Sequence, residues 1–185
     1  MVKRIPLKVK SPSYIYFPYF WRVSTSNTSM NAIDQSGILA IATRLQRLSD
    51  RLRRDGKEIY QAHGIDFDPK WFPVIYTLHL RPMLSVVEIA AEIGYTHPST
   101  ITLLKELEAK KLIRSHKDKT DTRKRMIQLT EKGIKMVTQI QPIWDIMTAA
   151  ITDLTRTKNN LMKAIIEVED RLAKKSFLQR ALEQE

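Results

Sequence analysis

Two short helical patterns separated by a glycine turn, and followed by a basic hairpin pattern, constrain this chain more than any other feature. Ser85, followed three residues later by Glu88, is a capping box and predicts a helix that begins directly after Ser85. Gly94 predicts the end of that helix, and Thr96 or His97 is expected to cap the next one. Two helices joined by such a turn form a helix-turn-helix, whose second helix can lie in the major groove of DNA.

The second helix is predicted to have one buried side. The residues expected on that side are Ile101, Leu104, Leu107 and Leu112. The residues expected at its start and on its other faces are Ser99, Thr100, Thr102, Leu103, Lys105 and Glu106. Short polar side chains at the start of such a helix can approach base edges or phosphates.

Two strand patterns after this helix predict a β-hairpin, which we call the wing. The strands are expected at 112–116 and 125–129, around a polar turn at 117–124. Residues 110–125 contain eight basic and two acidic side chains, a local net charge of +6. This charge beside a recognition helix favours contact with a phosphate backbone. A charged hairpin that only faces solvent is the alternative.

Several motifs in this segment resemble the DNA-binding half of the MarR family of winged-helix transcriptional regulators. They are residues 99–102 and 107–113 of the recognition helix, Asp121-Thr122-Arg123 in the wing, and residues 129–133 after it. The resemblance covers about residues 35–180. It implies that Arg123 reaches the minor groove or its phosphates and that Asp121 holds this arginine.

One position departs from the family pattern. The family usually has glycine after the recognition helix, where this chain has Lys111. If that position needs a left-handed backbone, lysine carries a modest steric penalty there. The angle of the wing is the property that this departure affects.

The recognition helix and the wing together give the candidate DNA contacts. Near the start of the helix these are His97, Ser99, Thr100 and Thr102, with Lys105 one turn further on. In the wing they are Arg123 with its partner Asp121, and the backbone candidates Lys119, Lys124 and Arg125.

Apolar residues at heptad-like spacing flank the DNA-binding segment on both sides. Before it they are Ile38, Ile41, Leu45, Leu48 and Leu52. After it, Thr130 is the expected N-cap of a helical region that breaks at 155–160, and Pro142 is expected to kink or split its first helix. Narrow seams at both ends cannot all be buried in one small core. The first and last helices are therefore expected to pack on a second copy, the homodimer that the resemblance also implies.

The predicted fold class is mainly α (α+β), a winged helix-turn-helix DNA-binding domain with N- and C-terminal dimerisation helices. The expected limits are 31–66 for the N-terminal helix, 67–130 for the winged domain and 131–185 for the C-terminal helices. Residues 1–30 are basic and proline-containing, and are predicted to be a disordered arm or a segment ahead of a true start at Met30. A DNA-contacting arm is the alternative for that segment.

Composition narrows the classes of function. The chain has a formal net charge of +11 and a pI near 9.9, which favours a polyanionic partner. It has no cysteine, which excludes disulfides, a thiolate redox sensor and cysteine-ligated metals. The four histidines lack metal-ligand spacing, and the sequence shows no phosphate-binding glycine loop and no nucleophile motif. We therefore expect that the protein is not an enzyme and that it has no metal or cofactor site. No apolar run approaches the ~18 residues of a membrane span, and we expect a cytoplasmic protein.

Members of the family often bind a small aromatic or anionic molecule between the dimerisation helices and the winged domain. The residues that the resemblance makes candidates are Trp71, Tyr76, His79, Trp144 and Met147, with ordinary core packing as the alternative. The sequence thus predicts a homodimeric, sequence-specific double-stranded DNA-binding regulator, a repressor on a palindrome-like operator, with a small-molecule effector as a further partner. A winged-helix protein–protein interaction module and a nonspecific nucleoid-type DNA binder are the alternatives.

Overall fold

The computed structural model describes residues 31–117, 121 and 124–184. The arm predicted at residues 1–30 lies outside the described residues. Residue contacts divide the chain into two units, Met1–Leu45 and Gln46–Glu185.

The first unit contains a short helix and the start of a longer one. Helix α1 spans Ala32–Gln35, a 3-10 turn spans Gly37–Ala40, and helix α2 begins at Ile41. The side chain of Asn31 caps α1 by accepting the backbone N–H of Asp34 at 3.0 Å. Among the described residues of this unit, Ile38 and Leu39 are 79% and 85% exposed, whereas Ile33 is half-buried.

The second unit contains the rest of α2, which ends at Ala62, and all the other elements. After a 3-10 turn at Pro69–Trp71, the elements up to the wing are α3 (Phe72–Leu80), β1 (Leu84–Ser85), α4 (Val86–Ile93), α5 (His97–Ala109), β2 (Ile113–Lys117) and β3 (Arg125–Leu129). The chain continues through α6 (Glu131–Leu154), α7 (Leu161–Lys174) and α8 (Phe177–Ala181). The predicted fold class is confirmed.

Local capping signals set the limits of the helix pair as the sequence predicted. Ser85 and Glu88 form the capping box of α4, and Gly94 ends this helix in a left-handed conformation with φ 68°. Thr96, rather than His97, is the N-cap of α5. These signals act over three or four residues, so they are legible in the sequence alone.

The sheet has three antiparallel strands in the order β1-β3-β2. The wing consists of β2 and β3, whose register pairs Ile113 with Leu129 and Lys117 with Arg125. The second strand has the predicted limits, whereas the first begins and ends one residue later than predicted. Strand β1 was not predicted, because two residues are too few to show alternation.

The junction between α5 and the wing explains two of the family motifs. Lys111 has φ 59°, so this position does take the left-handed backbone for which the family's glycine is suited. The hydroxyl of Thr130 donates to the carbonyl oxygen of Lys111 at 2.7 Å and caps α6 by accepting the N–H of Gly133. A side chain at Gly133 would collide with the carbonyl oxygen of Leu112, so glycine is required by this close approach.

The core of the second unit crosses the domain limits expected from the sequence. It extends from Tyr60 on α2 through the winged segment to Trp144 on α6, and the indole N–H of Trp144 donates to the hydroxyl of Tyr60 at 2.8 Å. Burial raises the pKa of Tyr60, and the hydrogen bond from Trp144 opposes this. The three-part division of the chain remains a prediction, although the winged segment does not complete a core alone.

The C-terminal helices are apolar on surfaces that stay exposed. Helix α6 runs uninterrupted through Pro142, so the predicted alternative of a split helix is wrong, and the break at 155–160 is confirmed. On α7 and α8, Leu172 is 48% exposed and Phe177 is 77% exposed. Within the described ranges, no helix combines the length and apolarity that a bilayer crossing requires.

Candidate nucleic-acid interface

The first three turns of α5 present a small set of polar side chains to solvent. His97, Ser99, Thr102 and Lys105 are all exposed, as predicted. The hydroxyl of Ser99 accepts from the Thr96 hydroxyl at 2.9 Å, so its own hydrogen stays available to an outside acceptor. The hydroxyl of Thr102 donates to the carbonyl of Pro98 at 3.1 Å, which leaves its oxygen lone pairs as acceptors.

Thr100 was predicted as a DNA contact, and the structure contradicts this. Its side chain is 0% exposed, and its hydroxyl donates to the carbonyl oxygen of Thr96 at 3.0 Å. Leu103, which was placed away from the core, is also buried. The buried face of α5 follows 100, 103, 104 and 107, whereas Ile101 is only half-buried. The predicted buried face was therefore rotated relative to the observed one. A threonine can lie in a core when its hydroxyl donates to a carbonyl oxygen of the preceding turn, so its polar character alone does not place it at the surface.

In the described part of the wing, each strand has an exposed lysine at the end next to the turn. Lys117 ends β2 and Lys124 precedes β3, and both are exposed. The N–H of Lys124 donates to the carbonyl oxygen of Asp121 at 2.9 Å, which shapes the end of the turn. Lys119 and Arg123 lie outside the described residues, so the pairing of Arg123 with Asp121 stays a prediction.

Arg125 was predicted to contact the DNA backbone, and the structure gives its guanidinium another partner. Its Nη2 lies 2.5 Å from the carboxylate Oε2 of Glu108, in the last turn of α5. Sequence reasoning missed this partner, because the two residues are far apart in the chain and each looks like an ordinary surface charge.

A groove lies between the start of α4, the first turn of α5 and the start of β3. Its volume is about 610 Å³. Its lining residues are Ser85, Val86, Val87, Glu88, His97, Ile101, Lys124 and Arg125. The groove therefore has an apolar floor and contains three of the candidate DNA contacts.

The one acidic side chain in the groove lining is held by its own helix cap. The carboxylate of Glu88 accepts the backbone N–H of Ser85 at 2.7 Å. Hydrogen bonds from Ser85, first from its side chain and then from its backbone, lower the pKa of Glu88, burial opposes them, and Lys124 and Arg81 add to the lowering. Lys124 therefore lies in the field of a carboxylate on the groove wall.

One side of α5 contacts the 3-10 turn and the loop that precede α3. The indole N–H of Trp71 donates to the carboxylate of Glu106 at 3.1 Å, and Lys70 forms an ion pair with the same carboxylate at 2.8 Å. Lys110 lies over the indole ring of Trp71 at 5.5 Å and pairs with Asp66 at 3.3 Å. These contacts fix the helix that presents the polar face.

The five residues predicted as a ligand site separate into groups. Tyr76 and Trp144 lie together, with ring centroids 5.4 Å apart, and Phe72 joins them. Trp71 belongs to a different aromatic cluster, in which its ring meets Phe67 edge-on at 5.7 Å. Met147 packs against the core and His79 is exposed near the end of α3.

The described residues include no group of three or more His, Asp or Glu side chains arranged to hold a metal ion. The histidine of the interface, His97, is the first residue of α5 and is exposed.

Comparison with known proteins identifies the segment that carries this interface. A sequence model of the MarR family matches residues 65–124. The matched segment runs from the loop before α3 to the residue before β3, and it includes every predicted DNA contact except Arg125. No curated protein matches the chain.

Solved structures share the fold over most of the chain. The DNA complex of MepR from S. aureus is 23% identical, with TM-score 0.61, and covers 72% of this chain and 97% of its own. The DNA complex of MOSR from M. tuberculosis is 19% identical, with TM-score 0.62, and covers 72% and 96%. PcaV from Streptomyces coelicolor, in complex with its natural ligand, is 15% identical, with TM-score 0.56, and covers 73% and 95%.

Proposed function

We propose that this MarR-family protein is a transcriptional regulator that binds double-stranded DNA as a homodimer on a palindrome-like operator and represses transcription. The observation that carries the proposal is the combination of a MarR-family segment with an exposed polar first turn of α5 and a cationic wing beside it. MepR and MOSR, which share the fold, were solved as DNA complexes.

In this proposal the two parts of the interface divide the work. Ser99 and Thr102, with His97, approach base edges in the major groove, where a donor and an acceptor at fixed positions distinguish base pairs. Lys105 and Lys124 contact phosphates, and each neutralised phosphate releases counterions. Arg123 enters the flanking minor groove, a role carried by the family resemblance alone.

A second copy completes the proposed regulator. The exposed apolar residues of α7 and α8 need a cover, and a two-fold partner presents the same surface in return. Two recognition helices then lie about 34 Å apart, one turn of duplex, and this spacing makes a palindrome-like site the preferred target.

An effector would act on the equilibrium between two spacings of these helices. PcaV was solved with its natural ligand. In this chain the proposed contacts are Tyr76 and Trp144, whose rings form one cluster next to the start of α3. A ligand there shifts DNA affinity only to the extent that it binds one of the two arrangements better.

Selection of bound duplexes from a random pool tests the proposal. The expected result is enrichment of an inverted repeat, with affinity that falls steeply as salt rises. The variant Arg123→Ala should lose most of this affinity, and the control Lys57→Ala, an exposed lysine on α2, should keep it. Retention of duplexes without enrichment would favour the nucleoid-type binder, and no retention at low salt would favour the protein–protein interaction module.

A further inference from the structure

The base of the wing is closed by hydrogen bonds between the residue after β3 and the residues that lead from the recognition helix into β2. The N–H of Thr130, directly after β3, donates to the carbonyl oxygen of Leu112 at 3.0 Å, and the Thr130 hydroxyl donates to Lys111. These bonds hold the end of the hairpin that is farthest from its turn. Strand β1 supports the middle of β3, where it pairs with Met126 and Ile127. Neither contact holds the end of the hairpin next to the turn, beyond Met126.

A second anchor lies at the opposite end of the hairpin. Arg125 is the first residue of β3 and pairs with Lys117, the last ladder position before the turn. Its guanidinium reaches back to Glu108 at 2.5 Å. The side chains of the two partners are 38% and 26% exposed, so the pair is only partly open to solvent. Partial burial and a charge-assisted hydrogen bond give such a pair more effect than a fully exposed one.

The carboxylate of Glu108 is ionised in this setting. Burial acts to raise its pKa, but hydrogen bonds from Arg125 and from the hydroxyl of Ser115, together with the charge of Arg125, outweigh it and lower the pKa. Ser115 lies in the middle of β2, so the same carboxylate contacts both strands of the wing.

Arg125 and its neighbour Lys124 differ in how available their charged groups are to a phosphate. Lys124 is exposed on the groove rim, where a phosphate can reach it. Arg125 has its guanidinium directed to a carboxylate of the recognition helix. A phosphate contact by Arg125 would either use its remaining N–H groups beside the negative charge of Glu108, or break the ion pair and leave Glu108 unpaired beside DNA.

We propose that Arg125 and Glu108 are positioning residues, whose ion pair fixes the tip of the wing relative to the recognition helix, and that Arg125 does not itself contact DNA. The inference rests on the proposed function, since the positioned surface is the DNA interface. It corrects the role that basic composition alone assigned to Arg125.

Replacing the carboxylate of Glu108 distinguishes a phosphate contact by Arg125 from a positioning role, because the two roles predict opposite changes in DNA affinity. If Arg125 were a phosphate contact, Glu108→Gln would free it and would raise both the affinity for DNA and its salt dependence. If the pair positions the wing, Glu108→Gln lowers affinity although the protein gains positive charge. We expect a loss of about three- to tenfold, the range of coupling that a partly buried pair can carry.

The experiment measures binding of the full chain to the selected operator by fluorescence anisotropy at several salt concentrations. The variants are Glu108→Gln, Arg125→Met, the double variant and the exchanged pair Glu108→Arg with Arg125→Glu. Lys124→Ala is the control for a phosphate contact, and it should lower the slope of log K against log salt by about one. The two single variants should weaken binding, the double should weaken it no further, and the exchanged pair should recover part of the loss, all without a change in slope.

Amide hydrogen exchange of the DNA-free protein gives a second readout that does not depend on DNA binding. Glu108→Gln and Arg125→Met should both speed exchange in β2 and β3, while exchange in α3 and α4 should stay as in the parent chain. Tighter binding by Glu108→Gln, or a slope lowered by about one in Arg125→Met, would overturn the positioning role. If the parent chain bound no duplex, the proposed function would fail, and unchanged exchange in the wing would overturn the anchor separately.

Discussion

The winged segment and the C-terminal helices of the second unit differ in how far a single chain buries their apolar side chains. In the winged segment, side chains such as Leu104, Leu107 and Ile127 are fully buried, and the helix ends are capped. On α7 and α8, large apolar residues such as Leu172 and Phe177 remain exposed. The winged segment and its neighbours thus form a finished core, and the C-terminal helices present a surface that needs a partner.

The largest expected effect comes from the finished core. Leu104→Ala removes a fully buried side chain of α5 and should lower the free energy of unfolding by about 2–5 kcal/mol. Leu172→Ala makes the same deletion on α7 and should cost less than about 1 kcal/mol in dilute protein, where subunits are separate. Urea unfolding of both variants measures the difference, and equal losses would contradict the contrast between the two regions.

The second largest effect is expected on the exposed apolar surface of α7 and α8. Leu172→Glu places a charge in the proposed contact between copies and should raise the dimer dissociation constant at least about tenfold, which is 1.4 kcal/mol. Sedimentation equilibrium measures this constant. The control Lys163→Glu changes the charge of the same helix by more, at an exposed position off the apolar stripe, and should leave the constant unchanged. A dimer that tolerates Leu172→Glu would show that α7 is covered in some other way.

A smaller effect is expected at the junction that joins the two regions. Thr130→Ala removes the N-cap of α6 and the hydrogen bond to Lys111, and should cost about 1–2 kcal/mol of stability. Thr138→Ala removes a hydroxyl that only bonds the preceding turn of the same helix, and should cost less than about 0.5 kcal/mol. Thermal unfolding measures the stability lost in each variant, and a similar loss in both would contradict a stabilising role of the Thr130 cap.

The smallest effect is the dependence of the wing anchor on pH. Because the folded pKa of Glu108 lies below its usual 4.5, its ion pair stabilises the fold above that pH and is lost as the pH falls through the folded pKa. The difference in unfolding free energy between the parent chain and Glu108→Gln should therefore be largest near pH 7 and shrink below about pH 4. A difference that stays constant over this range would mean that the carboxylate carries no such stabilisation.

Features set by neighbouring residues were predictable, and features set by distant residues were not. The capping box at Ser85, the glycine stop at Gly94 and the N-cap at Thr130 operate within one turn of helix, and all three predictions are confirmed. Thr100 was misplaced because the polar character of a side chain does not reveal that its hydroxyl is satisfied by the backbone of its own helix. The choice of face needed the packing of α5 on its neighbours.

The wing anchor shows the same limit at longer range. Glu108 and Arg125 are seventeen residues apart, and they meet only because α5 packs against β2 and β2 pairs in register with β3. Composition correctly marked the region as basic, yet it counted Arg125 among the free cations. Strand β1 was hidden for a related reason, since its two residues form a strand only because β3 pairs with them.

Hydroxyl-radical footprinting of the full chain on its selected duplex tests the central claim most directly, because it reports where each subunit touches the backbone. We predict two protected patches on each strand, related by a two-fold axis and centred about 10 base pairs apart, with flanking protection that Arg123→Ala removes. A single patch, or uniform weak protection along the duplex, would contradict a two-fold arrangement of recognition helices and wings.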